Sequence, residues 1–147
     1  MQTDEQIYQQ FVDDVKNNNL LTRLNSEGLH RYAYCLWHLD KNEEALAAYR
    51  QALEVDNFPE NTEEAVLYNN MGVLLLDDMC ELQAAREAFI RAVSIRPEYG
   101  LAHFNLGRVL NLMNDYELSE SAFEVARILD PDEITPEKVD YERGKRQ

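Results

Sequence analysis

The sequence predicts an all-α fold made of stacked helix pairs, and three observations support this prediction. First, the 147 residues include only five Gly and four Pro, a composition that favours helices. Second, a pattern of aromatic and small residues recurs, with Phe89 and Phe123 lying 34 positions apart. Third, small residues stand where paired helices would approach each other closely. Because one helix pair cannot bury its apolar face alone, such pairs must stack on their neighbours.

Residues 1–25 are predicted to form a capping helix ahead of the repeated pairs. Thr3 and Gln6 have the spacing of a capping box, in which each residue bonds the backbone of the other. Ile7, Phe11 and Val15 follow at intervals of four and form a narrow apolar stripe. We therefore expect this helix to cover one end of the stack.

Three copies of the helix pair are predicted, at residues 26–59, 65–99 and 100–133. Each first helix contains a small residue that faces the second helix, and each second helix contains an aromatic residue followed by an alanine. These residues are Ala33, Gly72 and Gly107 in the first helices, and Tyr49 with Ala52, Phe89 with Ala92 and Phe123 with Ala126 in the second helices. Pro97 and Pro131 forbid continuation of the second helix and so end two of the copies.

The copies resemble the tetratricopeptide repeat (TPR) family, whose 34-residue pattern runs W-x2-L-G-x2-Y, then A-x3-F, then P. The copy at 100–133 matches best, and its matching residues are Leu106, Gly107, Leu110, Phe123, Ala126 and Pro131. The tryptophan place departs from the pattern and holds Leu29, Tyr68 or His103. The resemblance implies a right-handed α-α superhelix, the TPR solenoid, of three helix pairs with flanking N- and C-terminal helices.

The link between the first two copies is longer than the repeat period. Ala52 and Ala92 are 40 positions apart, which is six more than one period of 34. One extra residue is predicted in the turn near Met79–Cys80, and the other five around Glu60–Glu64. Asn61 is predicted to cap a helix there, so the first helix of the second copy should begin about one turn early.

Residues 134–147 are predicted to form a C-terminal capping helix and tail. Thr135 followed by Pro136 is typical of a helix N-cap and first helical position. The helix that follows to about Arg143 is short and polar, as expected of the last element of a stack.

The charge of the chain restricts the classes of partner. With 28 acidic and 14 basic residues, the formal net charge is −14, which repels nucleic acid and anionic lipid. No apolar run approaches the ~18 residues that a membrane span needs. The polar start at residues 1–5 predicts no secretory leader. Because Cys35 and Cys80 fit no metal spacing, we expect reduced thiols and a cytoplasmic location.

The resemblance implies that the first helix of each pair lines a concave groove in which a partner peptide lies. The groove positions as a whole hold the single Trp, two of the three His and only two acidic residues. The residues predicted to contact the peptide are His30, Arg31, Tyr34, Trp37, Asn69, Asn70, Val73, Leu101, Phe104, Asn105, Arg108 and Asn111.

Three kinds of contact are predicted within that set. Guanidinium forks suit carboxylates, amides can bond a peptide backbone, and aromatic side chains act as apolar anchors. The predicted roles are pairing with an acidic group for Arg31 and Arg108, backbone hydrogen bonding for Asn70 and Asn105, and anchoring for Tyr34, Trp37 and Phe104. The alternative for Tyr34 and Trp37 is packing against the N-terminal helix.

One TPR subclass grips the C-terminal carboxylate of heat-shock chaperones with Lys, Arg and Asn side chains. This chain keeps only Asn70 at a matching place. His30 and Leu101 stand at the lysine places, Tyr34 stands at the other asparagine place and Asn105 at the arginine place. We therefore expect that it does not bind such a tail.

Neither catalysis nor a cofactor is predicted. The sequence contains no Gly-rich phosphate loop, no nucleophile motif and no metal-spaced His or Cys cluster. His30 and His38 lie eight positions apart and lack a third ligand. The predicted function is therefore protein–protein interaction, as an adaptor or chaperone. The alternative is a self-associating scaffold subunit that uses exposed second helices or an uncapped end, which leaves a homo-oligomer open.

Overall fold

The computed structural model describes residues 1–55 and 61–146, without the side chains of Asn61 and Thr62. Within these residues the chain forms helices and no strand. The α-helices are α1 Asp4–Asn17, α2 Ser26–His38, α3 Asn42–Glu54, α4 Asn61–Val73, α5 Leu82–Ile95, α6 Gly100–Leu112, α7 Tyr116–Leu129 and α8 Pro136–Arg143. The predicted boundary at residue 59 and the capping role of the Asn61 side chain lie outside the described part.

The chain divides into two compact units, Met1–Glu63 and Glu64–Gln147. The first unit contains α1, α2 and α3, with a short 3-10 helix at Leu21–Arg23. The second unit contains α4 from Glu64 onward and α5 to α8.

The capping box predicted at the start of α1 is confirmed. The Thr3 backbone amide donates to Gln6 Oε1 at 3.0 Å, and the Gln6 amide donates to Thr3 Oγ1 at 3.3 Å. The predicted apolar stripe is only partly right, because Val12 and Val15 are buried whereas Ile7 is exposed. Val12 and Val15, rather than Ile7, are the core residues of α1, which packs against α2.

Close approach of the paired helices explains the small residues of the second unit. A Cβ atom added at Gly72 would lie 2.6 Å from the Phe89 ring, and one added at Gly107 would lie 2.6 Å from the Phe123 ring. Both phenylalanines are fully buried. In the first unit Ala33 and Tyr49 stand at the equivalent places and are also buried. In the second unit a phenylalanine ring therefore fills the space beside each of these glycines.

The extra residue of the second copy lies in a helix, and the prediction of a longer turn near Met79–Cys80 is wrong. The end of α4 continues into a π-helical turn at Leu74–Asp78, in which the Met79 amide donates to the Leu74 carbonyl at 3.2 Å. A π turn takes up one more residue than an α turn while the backbone hydrogen bonds are kept. The insertion therefore leaves the inter-helix turn itself unchanged.

The turns within the three helix pairs have the same geometry. Asp40, Cys80 and Asn114 each adopt a positive φ, of 56°, 57° and 64°. The amide of the next residue in each turn donates back to the carbonyl of Leu36, Leu75 or Leu110, which are equivalent positions of the repeat. Cys80 is thus a non-glycine residue in a left-handed conformation that Asn and Asp tolerate better.

Helices α4 and α8 begin where the sequence predicts. Helix α4 begins seven residues before Tyr68, whereas α2 and α6 begin three residues before the equivalent Leu29 and His103. The predicted additional turn is therefore present. At α8, Thr135 Oγ1 accepts from the Lys138 amide at 3.3 Å, with Pro136 as the first helical residue.

Candidate peptide-binding faces

A stripe of residues, most of them predicted to contact a peptide, runs along α4, the π-helical turn that continues it, and α6 of the second unit. The members on each helix recur at intervals of three or four, so they share one helix face. We call this surface the α4–α6 face, and it comprises Asn69, Val73, Asp77, Leu101, Asn105, Arg108 and Leu112.

Two asparagines pair with each other inside the α4–α6 face. Asn105 Nδ2 donates to Asn69 Oδ1 at 2.9 Å, and both residues are buried. The side-chain oxygen of Asn105, Oδ1, accepts a hydrogen bond from Arg108 Nη1 at 3.3 Å. Since buried polar groups need partners, this pairing fixes the spacing between α4 and α6. Asn105, predicted to bond a ligand backbone, thus uses its amide within the unit.

Arg108 already has two carboxylate partners. Its Nη1 and Nη2 bond Asp77 Oδ2 and Oδ1 at 3.3 and 2.7 Å, and its Nε lies 3.4 Å from Glu142 Oε1. The Arg108 side chain is 15% exposed and that of Glu142 is 8% exposed. The guanidinium predicted to hold an acidic group of the partner is therefore neutralised by the chain's own Asp77 and Glu142.

Two more predicted groove residues of α6 contact α8. Asn111 Nδ2 donates to the Glu142 carbonyl at 2.8 Å, and Asn111 Oδ1 accepts from Arg146 Nε at 2.7 Å. Phe104 is buried in a cluster with Ile134, which lies just before α8, and Val139, which lies within α8. Both side chains therefore hold the C-terminal helix in place.

Sequence reasoning missed the acidic and basic residues that complete this arrangement. Arg143 Nη2 bonds Glu120 Oε2 at 2.5 Å, and Arg146 also bonds Glu120. The hydrogen bond from Arg143 lowers the pKa of the Glu120 carboxyl. No motif indicates these residues, because Glu120 is far from Glu142 and the basic tail in sequence and the tail has no periodic pattern. The excess of Arg and Lys after residue 137 was the available signal.

The exposed residues of the α4–α6 face are Leu101, Leu112 and Asp77, whose carboxylate is paired with Arg108. Leu101 is 36% exposed and Leu112 is 37% exposed, and Val73 and the neighbouring Asn70 are half-buried. Two leucines beside a fully paired set of polar groups can bind apolar side chains without leaving a charge unpaired.

In the first unit, an aromatic cluster joins α1 to α2. The Tyr34 ring lies edge-on to Tyr8 at 6.1 Å and to Trp37 at 6.2 Å, and it lies 4.2 Å from the His38 ring. Tyr8 also stacks on His38 at 5.3 Å. Contact between Tyr34 and the N-terminal helix, the alternative considered for this residue, is therefore present. Tyr34 nevertheless keeps 37% of its surface exposed.

Arg31 and His30 on α2 differ in environment. The exposed Arg31 guanidinium lies over the Phe11 ring at 5.1 Å, and no carboxylate of the described residues forms an ion pair with it. His30 is half-buried with its ring 5.8 Å from that of Tyr49, and burial lowers the pKa of His30. At neutral pH α2 therefore presents the charged guanidinium of Arg31 next to the mainly uncharged ring of His30.

The described residues contain no group of three or more His, Cys, Asp or Glu side chains placed to hold a metal ion. Cys35 and Cys80 are both free thiols, and burial raises the pKa of Cys35. Across the same part of the chain, no helix has the length and apolar character needed to cross a membrane.

Comparisons with known proteins agree with this fold. Among solved structures, an Arabidopsis OM64 TPR domain has a TM-score of 0.68 at 18% identity, covering 82% of this chain and 92% of that one. Two MamA structures have TM-scores of 0.66 and 0.67 at 20% and 17% identity. They cover 86% and 96% of this chain, and 73% and 85% of those chains. No curated protein matches.

Family models give the assignment. Two models of the tetratricopeptide repeat match residues 25–98 and 73–134. The predicted fold class, an all-α TPR solenoid, is therefore confirmed. The matched residues include the positive-φ turns of the three helix pairs, at Asp40, Cys80 and Asn114, and the buried aromatics Tyr49, Phe89 and Phe123 of the second helices. The chain belongs to the tetratricopeptide repeat family, whose members are modules for protein–protein interaction.

Proposed function

We propose that this chain is an adaptor or chaperone that binds an extended or helical segment of a partner protein on the groove-facing first helices of its repeats. One observation carries the proposal for the second unit. The polar groups of the α4–α6 face are paired within the unit, while Leu101 and Leu112 remain exposed beside them. Such a surface is ordered before the partner arrives, so binding costs little conformational entropy.

The proposal assigns different roles to residues of the second unit that lie at groove positions of the repeat. Leu101 and Leu112 bury apolar side chains of the partner, and Asn70 and Val73 border them. Arg108 and Asn105 act as positioning residues, since their side chains are committed to Asp77, Glu142 and Asn69.

The first unit supplies a second set of contacts on α2. Tyr34 and Trp37 are anchors for apolar side chains, supported by the exposed part of the Tyr34 ring. Arg31 is the residue that binds an acidic group of the partner, because its guanidinium is exposed and forms no ion pair with the described residues. The two free cysteines support a reducing compartment such as the cytoplasm.

The alternative is a self-associating scaffold subunit. Exposed Leu118 and Ile128 on α7 favour it, whereas a net charge of −14 on every copy opposes it. Light scattering during size-exclusion chromatography separates the two functions. A monomer at high concentration supports the adaptor, and a stable oligomer supports the scaffold.

The experiment that tests the proposed function is quantitative affinity purification with a matched set of variants. The double variant Leu101→Gln/Leu112→Gln removes the apolar contacts of the α4–α6 face, and Ile7→Gln makes the same kind of change on an exposed residue of α1. A partner retained by the wild type and Ile7→Gln but lost from the double variant supports the proposal. Equal retention by all three proteins contradicts it.

A further inference from the structure

A second open surface lies on the other helices of the second unit. A groove of about 300 Å³ runs between α5 and α7, with α6 as its floor. Leu106 and Leu110 form the floor, and Ile90, Leu118 and Val125 form the walls. We call this the α5–α7 groove. It shares no residue with the α4–α6 face.

The walls of the α5–α7 groove are mainly apolar, and Ile90, Leu118 and Val125 are exposed there. Leu118 is 55% exposed, and Ile128, 73% exposed, continues the same α7 stripe beyond Val125. From Leu118 to Ile128 the stripe extends over ten residues, which is about 15 Å or three helical turns. In a chain with 28 acidic residues, a continuous apolar stripe of this length indicates an interaction surface.

Arg86 gives the groove a charge preference. Its side chain lines the groove, its Nε is buried, and that nitrogen has no hydrogen-bond partner. Arg108, Arg143 and Arg146 in the same unit all form ion pairs, whereas no carboxylate of the described residues pairs with Arg86. Since Arg86 lines the groove without a carboxylate partner among the described residues, an occupant that brings a carboxylate to its guanidinium gains a charge-assisted hydrogen bond.

We propose that the α5–α7 groove binds an amphipathic helix of a partner protein, which inserts aliphatic side chains between α5 and α7 and places a carboxylate against Arg86. A helix is the occupant that fits, because helix ridges pack into the groove between two neighbouring helices. A helix of three turns also matches the length of the exposed stripe. A second copy of the chain is disfavoured, since association would bring together two chains of charge −14.

The proposal is independent of the α4–α6 face and is tested with a defined probe. The probe is a phage-displayed library of four-turn amphipathic helices with leucines on one face and one randomised position beside them. Library members that bind the wild-type protein are selected first. Those that also bind the Leu118→Gln/Val125→Gln protein are then discarded, because they bind outside the groove. We expect the enriched helices to carry Asp or Glu at the randomised position.

Titrations with one enriched peptide and its Gln-substituted form then test the role of Arg86. The acidic peptide should bind the wild type about tenfold more tightly than it binds Arg86→Gln, and Arg86→Lys should retain part of that preference. The Gln-substituted peptide should not distinguish the wild type from Arg86→Gln. The Leu101→Gln/Leu112→Gln variant should bind like the wild type, because its changes lie outside the α5–α7 groove.

Three outcomes would overturn the proposal. One is that no helix is enriched, and another is that the enriched helices show no acidic preference. The third is a dimer in light scattering that Leu118→Gln/Val125→Gln dissociates, which would assign the groove to a second copy of the chain.

Discussion

The α2–α3 pair of the first unit and the α6–α7 pair of the second carry the same repeat pattern, but the arginines on their first helices have different surroundings. On α6, Arg108 is held by Asp77 and Glu142 of its own unit. On α2, Arg31 lies exposed over an aromatic ring and has no carboxylate partner among the described residues. A groove position of the repeat therefore does not by itself define a ligand contact. Its role depends on whether a neighbouring helix already supplies its partner.

The largest expected effect comes from removing the two arginines separately. Arg108→Leu leaves Glu142 and Asp77 without their guanidinium, and should lower the free energy of unfolding of the second unit by about 3 kcal/mol. Arg31→Leu removes no ion pair among the described residues and should change the stability of the first unit by less than about 0.5 kcal/mol. Urea unfolding of both variants measures the difference. Equal losses would remove the contrast between the two helix pairs.

The second effect concerns the small residue of each pair. Gly107→Ala places a Cβ against the rigid Phe123 ring, and should cost about 2 kcal/mol although Ala is the better helix former. The first pair already accommodates Ala33 at this place, so Ala33→Gly should cost only about 1 kcal/mol. Thermal unfolding monitored by circular dichroism gives both values. A Gly107→Ala protein that is more stable than the wild type would show that α6 and α7 can separate freely.

The third effect has the opposite sign and separates Tyr49 from Phe123. The Tyr49 hydroxyl is buried without a hydrogen-bond partner, and burial raises the pKa of Tyr49. Tyr49→Phe should therefore stabilise the first unit by about 1 kcal/mol. The reciprocal Phe123→Tyr should destabilise the second unit, because its hydroxyl would enter a buried cluster. Loss of stability in Tyr49→Phe would mean that the hydroxyl has a partner after all.

The smallest effect is a difference in pH dependence. Burial lowers the pKa of His30, so the unfolded chain takes up a proton at higher pH than the folded chain does. The corresponding stability is present above the unfolded pKa of about 6.5 and is lost as pH falls below that value toward the folded pKa. The equivalent place on α6 is Phe104, which does not titrate. Urea midpoints between pH 7.5 and 5.5 should fall more steeply for the wild type than for His30→Gln, and parallel curves would refute this role.

Sequence reasoning predicted the fold in detail because the fold depends on local chemistry. Capping by Thr3 and Thr135, the early start of α4 and the pairing of Gly107 with Phe123 all follow from short-range patterns. The extra residue before Cys80 was detected but placed in the wrong element. A turn and a π-helical insertion have the same effect on sequence spacing, so the period alone could not separate them.

The candidate site was harder to predict, since it depends on contacts between distant residues. The pairing of Asn105 with Asn69 and of Asn111 with the Glu142 carbonyl joins residues more than thirty positions apart. The periodicity of the sequence does not predict whether a polar residue at a groove position forms a hydrogen bond within the chain. Phe104 is another example. It was predicted to anchor a peptide, but its side chain is buried with Ile134 and Val139 near α8.

The central claim is that partner binding on the second unit uses the exposed leucines of the α4–α6 face and that the paired polar residues hold that face in shape. Calorimetric titration of an identified partner segment against Leu101→Gln and Ile7→Gln tests this claim most directly. The account predicts about tenfold weaker binding to Leu101→Gln and unchanged binding to Ile7→Gln. Wild-type affinity in Leu101→Gln, or a matching loss in Ile7→Gln, would contradict it.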